Sequence, residues 1–189
     1  MRFLLKLFFY GSGWKISGNV DPAVRKAIFA VAPHWKNSDF FIGLGTRAAM
    51  NRKIAYLGKA ELFRPPFGFI FRALGGIPVY RSQNRNLVES QVEAVKGAED
   101  ALVALAPEGT RKNVARLRSG FYYIALGAGI PVIMVGFDKE KKEVKIAEPF
   151  YPSGDFKKDM QTRFVPFFEQ VGGKKKDWVQ NYKEGKFDH

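Results

Sequence analysis

Cysteine is absent from the 189 residues, which excludes disulfides, thiolate metal sites and a cysteine nucleophile. This suits a reducing compartment. Histidine is nearly absent as well: there are two, and one of them is the terminal His189. His34 is therefore the sole internal side chain that titrates near neutrality without help, and zinc ligation by clustered His or Cys is not expected. Long hydrophobic runs are also missing. The opening Met-Arg-Phe-Leu-Leu-Lys-Leu-Phe-Phe-Tyr is too short, and too interrupted by Lys6, to cross a bilayer, and no small-residue cleavage site follows it. Acidic residues are scarce, with 18 Asp and Glu against 31 Lys and Arg. The resulting charge of +13 favours anionic partners such as lipid headgroups, nucleic acid or acidic carrier proteins. No internal repeat and no long Ser, Pro or Gly linker divides the chain, so one domain is expected.

Apolar and aromatic content is plentiful. Hydrophobic residues make up 46% of the chain, enough for a sizeable core. Phe, Tyr and Trp number 18, 7 and 3, more rings than a core alone calls for, so some are expected on a greasy surface or groove. The N-terminal segment fits two readings. It is either an interfacial segment, with Phe3, Leu4, Leu7, Phe8 and Trp14 at a headgroup boundary and Arg2, Lys6 and Lys15 toward phosphates, or a first helix packed on the domain.

Short apolar runs alternate with longer helical segments, the pattern of an α/β fold. Strands are expected at Ala27 to Ala32, Lys53 to Leu57, Gly76 to Tyr80, Ala101 to Ala106, Pro131 to Phe137 and Glu143 to Ala147. Helices are expected from Phe40 to Met50, behind N-cap chemistry at Asn37, Ser38 and Asp39, and over Asn86 to Ala98 and Leu117 to Ala128. From Lys174 onward, three consecutive lysines precede Asp177-Trp178-Val179. This reads as a solvated, weakly ordered end in preference to a surface helix on anionic lipid.

Three places carry candidate chemistry. His34 follows an apolar strand, at the sheet edge where α/β proteins place their sites, and Asp39 lies five positions on. If the loop turns back, the carboxylate meets one ring nitrogen while the other faces substrate, the arrangement of a base and its orienting acid. Glu108-Gly109-Thr110-Arg111 also follows a strand and offers a carboxylate, a permissive glycine, a hydroxyl and a guanidinium to an acceptor bearing hydroxyl and phosphate. Taken alone, Glu108 capping the next helix and Arg111 in a surface ion pair is the favoured explanation. Gly75-Gly76-Ile77-Pro78-Val79-Tyr80 ends in Arg81, whose planar fork suits phosphate.

In this order the elements resemble the glycerolipid acyltransferase family, which includes lysophosphatidic acid acyltransferases. His34 to Asp39 match its HxxxxD block, Gly76 to Arg81 its second block, Glu108 to Arg111 its third, and Ile130-Pro131-Val132-Ile133 its fourth. Lys59-Ala60-Glu61-Leu62, followed by Pro66 and Gly68, resembles its KxEL segment and downstream turn. Pro33 stands where many members carry Asn, and Met134 where a second proline is common.

The resemblance implies a single α/β domain, residues 21–189, with a mixed, mostly parallel central sheet flanked by helices, behind an interfacial segment at residues 1–20. It implies acyl transfer from acyl carrier protein or coenzyme A thioester to the free hydroxyl of 1-acylglycerol-3-phosphate, with the carrier thioester as co-substrate and no metal or other cofactor. His34 is the implied base and Asp39 its partner; Arg81, Glu108, Gly109 and Thr110 hold the acceptor, with Arg111 and Lys59 as further phosphate contacts. Peripheral attachment at the cytoplasmic face of a phospholipid membrane follows. Two alternatives remain: another lysolipid acceptor such as a lyso-ornithine lipid, or a non-catalytic basic membrane-surface module. Nucleic acid is disfavoured, since the aromatics do not alternate with basic residues on a recognisable strand motif.

Overall fold

The computed structural model describes residues 2–79 and 87–187. The chain opens with α1 (Arg2–Gly11) and β1 (Lys15–Ser17), followed by β2 (Lys26–Ala32), α2 (Ser38–Ala49), β3 (Ala55–Lys59), α3 (Gly68–Ala73) and β4 (Gly76–Val79). After α4 (Leu87–Gly97) come β5 (Ala101–Leu105), α5 (Gly120–Ala128), β6 (Val132–Asp138) and β7 (Glu143–Ile146). A 3-10 turn, Ala60–Phe63, links β3 to α3. The C-terminal part runs through α6 (Phe156–Asp159), a π turn at Met160–Phe164, α7 (Val165–Glu169) and α8 (Asp177–Lys183).

Among the described residues, seven strands form one sheet in the order β1-β7-β6-β2-β5-β3-β4. Every adjacent pair is parallel apart from the antiparallel β6–β7 pair. The mixed, mostly parallel α/β sheet expected from the sequence is therefore present. At the centre, β2 pairs with β6 through Ile28↔Val132 and with β5 through Ala27↔Leu102.

These central strands read as continuous apolar runs because helices cover both faces of the sheet. Alternation sorts their residues between two cores. Ile28, Ala30, Ala32, Val132 and Met134 face α5 and the C-terminal helices, packing with Phe121, Phe164, Phe168 and Trp178. Ala27, Phe29, Ile133, Val135 and Phe137 point the other way and pack with Phe9 of α1 and Ile42 of α2. Tyr122 of α5 donates its hydroxyl to Asp159 at 2.7 Å and accepts from the Gly154 amide at 3.0 Å, tying the C-terminal helices to α5. Burial and the Asp159 carboxylate push this phenol up to about 12, so it stays a donor throughout the neutral range.

The N-terminal segment packs on the domain as a first helix, and Trp14 joins that packing against Phe9 and Phe137 and does not lie on an outer face. Phe9 is buried against α2, where Gly45 leaves room for it: a Cβ there would lie 2.9 Å from the phenylalanine ring. On the outer face of the same helix Phe3, Leu4, Leu7 and Phe8 are exposed. No described helix is long and apolar enough to cross a membrane.

The C-terminal end corrects the sequence reading. From Lys174 onward the chain is not a solvated end: Trp178, Val179 and Tyr182 of α8 are buried in the core beside α7, and Lys176 is buried as well. The apolar stripe of that short helix outweighs the lysine run before it. Smaller differences concern boundaries. Strand β3 starts two residues later than expected, and α5 begins at Gly120 because Leu117 to Ser119 form the loop that returns from the Glu108 turn. Of the second sequence block, Tyr80 and Arg81 lie outside the described residues.

Candidate active site

Because β2 and β5 are parallel neighbours with Ala30 level with Leu105, the segments leaving their carboxyl ends emerge side by side. His34 lies just beyond β2 and Glu108 just beyond β5. The backbone amide of His34 donates to Glu108 Oε2 at 2.8 Å, joining the first and third sequence blocks directly.

Asp39 sits in the first turn of α2, its side chain wholly buried. Asn37 occupies the cap position without a side-chain capping bond, and the Asp39 carboxylate turns back over the preceding loop instead. Its Oδ2 accepts from the Trp35 amide at 2.8 Å and the Lys36 amide at 2.9 Å, and lies 3.2 Å from His34 Nδ1. Its Oδ1 meets Lys139 Nζ at 2.5 Å, a contact of charge whose angle departs from an aligned hydrogen bond. Burial pushes this carboxyl up, but the His34 ring, Lys139 and the two amides outweigh it and hold it well below the usual carboxylate range. Asp39 is therefore an anion throughout the neutral range. The imidazole side chain is 21% exposed, with Nδ1 tied to the acid and Nε2 on the opposite side of the ring.

Glu108 is the second buried acid, and its carboxylate turns inward. Besides the His34 amide, it accepts from Lys176 Nζ at 2.6 Å and from the Trp178 indole at 3.1 Å. Desolvation pushes it above its ordinary range against the pull of these donors. Lys176 also donates to the Thr110 carbonyl at 3.1 Å. The same ammonium lies 4.8 Å from the centre of the Trp35 ring, with Lys174 at 5.6 Å, while the Trp35 indole donates to the Lys174 carbonyl at 3.1 Å. The C-terminal segment thus clamps the loop that carries His34.

Around this centre, Gly109 adopts a left-handed backbone at φ 64°, and a Cβ there would come within 2.5 Å of Arg118 Nε. Glycine takes this backbone without strain. Thr110 is half-buried and its hydroxyl accepts from the Lys112 amide at 3.2 Å, while Arg111 is exposed. Lys59, also exposed, ends β3 on the same sheet edge, two strands from β2. The structure therefore brings His34, Asp39, Glu108, Gly109 and Thr110 into one cluster and leaves Lys59 at its periphery.

Residues 16–138 match the acyltransferase family model. The chain belongs to the acyltransferase family. No protein of curated function matches it in sequence. Among solved structures, it is similar to the 1-acyl-sn-glycerophosphate (LPA) acyltransferase PlsC from Thermotoga maritima. The two share 19% sequence identity at a TM-score of 0.58, over 100% of this chain and 79% of the other. The expected resemblance to glycerolipid acyltransferases is met, and the sheet and helices of this acyltransferase share that fold.

Three contributors to the cluster were not singled out in the sequence: Lys139, Lys176 and Trp178. Lys139 lies in a charged stretch that reads as a surface turn, and Lys176 in the lysine run. Trp178 was visible, for Trp178, Val179 and Tyr182 fall at the spacing of one helix face, which marks a packed helix.

Proposed function

We propose that this acyltransferase moves a fatty acyl group from a carrier thioester, of acyl carrier protein or coenzyme A, to the free hydroxyl of 1-acylglycerol-3-phosphate, giving phosphatidic acid. The observation that carries the proposal is the His34 ring held 3.2 Å from the wholly buried carboxylate of Asp39 at the carboxyl edge of an acyltransferase sheet.

With Nδ1 kept as the donor toward Asp39, His34 Nε2 is the lone-pair nitrogen that takes the acceptor's hydroxyl proton. The freed oxygen attacks the thioester carbonyl, the C–O bond forms as the C–S bond breaks, and the proton leaves with the thiol. Asp39 stabilises the imidazolium while it exists. A direct transfer fits the lack of cysteine, and Ser38, the exposed first residue of α2, acts as a helix start and not as a nucleophile. Glu108 holds the His34 backbone in place, and Gly109, Thr110, Arg111, Lys59 and Arg81 are the proposed acceptor contacts.

Charge and exposed rings support a peripheral stance on an anionic membrane. The outer face of α1 joins Phe41, Phe67 and Phe69 among the exposed large apolar residues. A groove of about 450 Å³ at the other end of the sheet is lined by Arg2, Leu5, Arg47, Arg52, Lys53 and Leu74, with four cations and no carboxylate. Each such cation near an anionic surface contributes on the order of 1 kcal/mol.

The test is labelled acyl transfer from both carriers to 1-acylglycerol-3-phosphate beside phosphate-free lysolipids. Product on the phosphate acceptor alone is expected; product on the phosphate-free lipids alone overturns the acceptor.

A further inference from the structure

Oδ1 of Asp39 has no role in orienting His34, because the ring and the two loop amides all meet Oδ2. Left without a partner inside the protein it would be costly, since a buried carboxylate oxygen loses its hydration with nothing in return. Lys139 fills that position. It is the first residue after β6, the strand that pairs in parallel with β2, so it leaves the same sheet edge as His34 one strand away. Its side chain is 32% exposed while the carboxylate it meets is wholly buried.

Resting on the function proposed above, we propose that Lys139 is a positioning residue of the reaction. It pins Oδ1 so that Oδ2 stays against His34 Nδ1, and it offsets part of the carboxylate charge the imidazole experiences. A base flanked by an uncompensated acid holds its proton more tightly. The ammonium weakens that pull at the ring.

The charged groups the structure places at His34 and its loop are Asp39 from α2, 3.2 Å from the ring, Lys139 from the end of β6 on that carboxylate, Glu108 from the turn after β5 on the His34 backbone amide, and Lys174 and Lys176 from the C-terminal segment over the neighbouring Trp35 ring. Glu108 is already matched by Lys176 at 2.6 Å, so Lys139 is the cation that balances Asp39. Its removal leaves the ring facing an unbalanced anion. The low position of Asp39 means that the acid stays ionised while His34 titrates, so the two events do not mix.

With only two histidines in the chain, His189→Gln leaves His34 as the single imidazole, and its ring C–H resonance can be followed by NMR against pH. In that background Lys139→Met is expected to raise the His34 midpoint by about half to one unit, and Lys139→Arg to restore it. In acyl transfer the acid limb of kcat/KM should move up by the same amount, with kcat falling more than KM changes. An unmoved or lowered midpoint overturns the proposal, even if the melting temperature falls, because a purely structural lysine would lower stability without shifting the titration. A raised KM with an unshifted midpoint overturns it in favour of Lys139 as a substrate contact. The NMR reading needs no turnover, so it stands apart from the identity of the acceptor.

Discussion

Lys176→Met removes an ammonium from a carboxylate that shares its burial: the side chains of Lys176 and Glu108 are both 0% exposed. Methionine keeps most of the lysine stem, so the loss is chiefly electrostatic. Breaking a buried pair from one side costs about 3–5 kcal/mol, because the remaining charge is left without compensation. In a protein of this size each kcal/mol moves the melting temperature by about 2–4 °C, which gives a fall of roughly 6–20 °C at neutral pH. The loss has a pH signature. Glu108 already lies above its ordinary range in the folded chain, so stability declines as pH rises from the unfolded carboxyl value through the folded one. Without Lys176 the folded value climbs further, and the decline continues to higher pH. Melting followed by circular dichroism should therefore show a small deficit near pH 5 that grows toward pH 8. Adding Glu108→Gln should recover part of it. A deficit equal at both ends of that range, or none at all, refutes the reasoning, since it would make the pair a matter of packing alone.

Other outcomes follow from the same geometry. Asp39→Asn leaves Lys139 without its anion and His34 without its orienting acid; turnover should fall, by less than for loss of His34 itself, in a steady-state acyl-transfer assay. Replacing Phe3, Leu4, Leu7 and Phe8 together by Gln should weaken pelleting with anionic vesicles while leaving the melting temperature nearly unchanged, because these side chains are exposed. Deleting the whole helix would confuse that test, since it also removes buried Phe9, a loss of about 3–5 kcal/mol by the measure of Phe truncations. Gly109→Ala should lower melting temperature and activity together, for alanine disfavours the left-handed backbone and its methyl group meets Arg118.

The central sheet was legible because β2, β5 and β6 are buried on both faces and so appear as uninterrupted apolar runs. By contrast, β1 is three residues long and exists through its pairing with β7, a partner more than a hundred residues away, so no local pattern announces it. Likewise, α3 was hidden in an aromatic stretch whose Phe67 and Phe69 are exposed while Phe71 packs on Phe40 and Phe63. At the site, His34 and Asp39 could be paired from spacing and strand position, and the loop does turn back as that pairing requires. The inward turn of Glu108 could not, because it depends on Lys176, 68 positions later, and on Trp178. A lysine run reads as solvated until a buried carboxylate is known to await one member of it. Lys139 was silent for the same reason.

The most direct test of the account is the rate of acyl transfer to 1-acylglycerol-3-phosphate by His34→Ala, measured beside its thermal melt. A rate lower by about 10²–10⁴-fold, the contribution of a positioned general base, is expected with the melting temperature nearly unchanged. A folded His34→Ala protein that transfers acyl groups at the parent rate would contradict it.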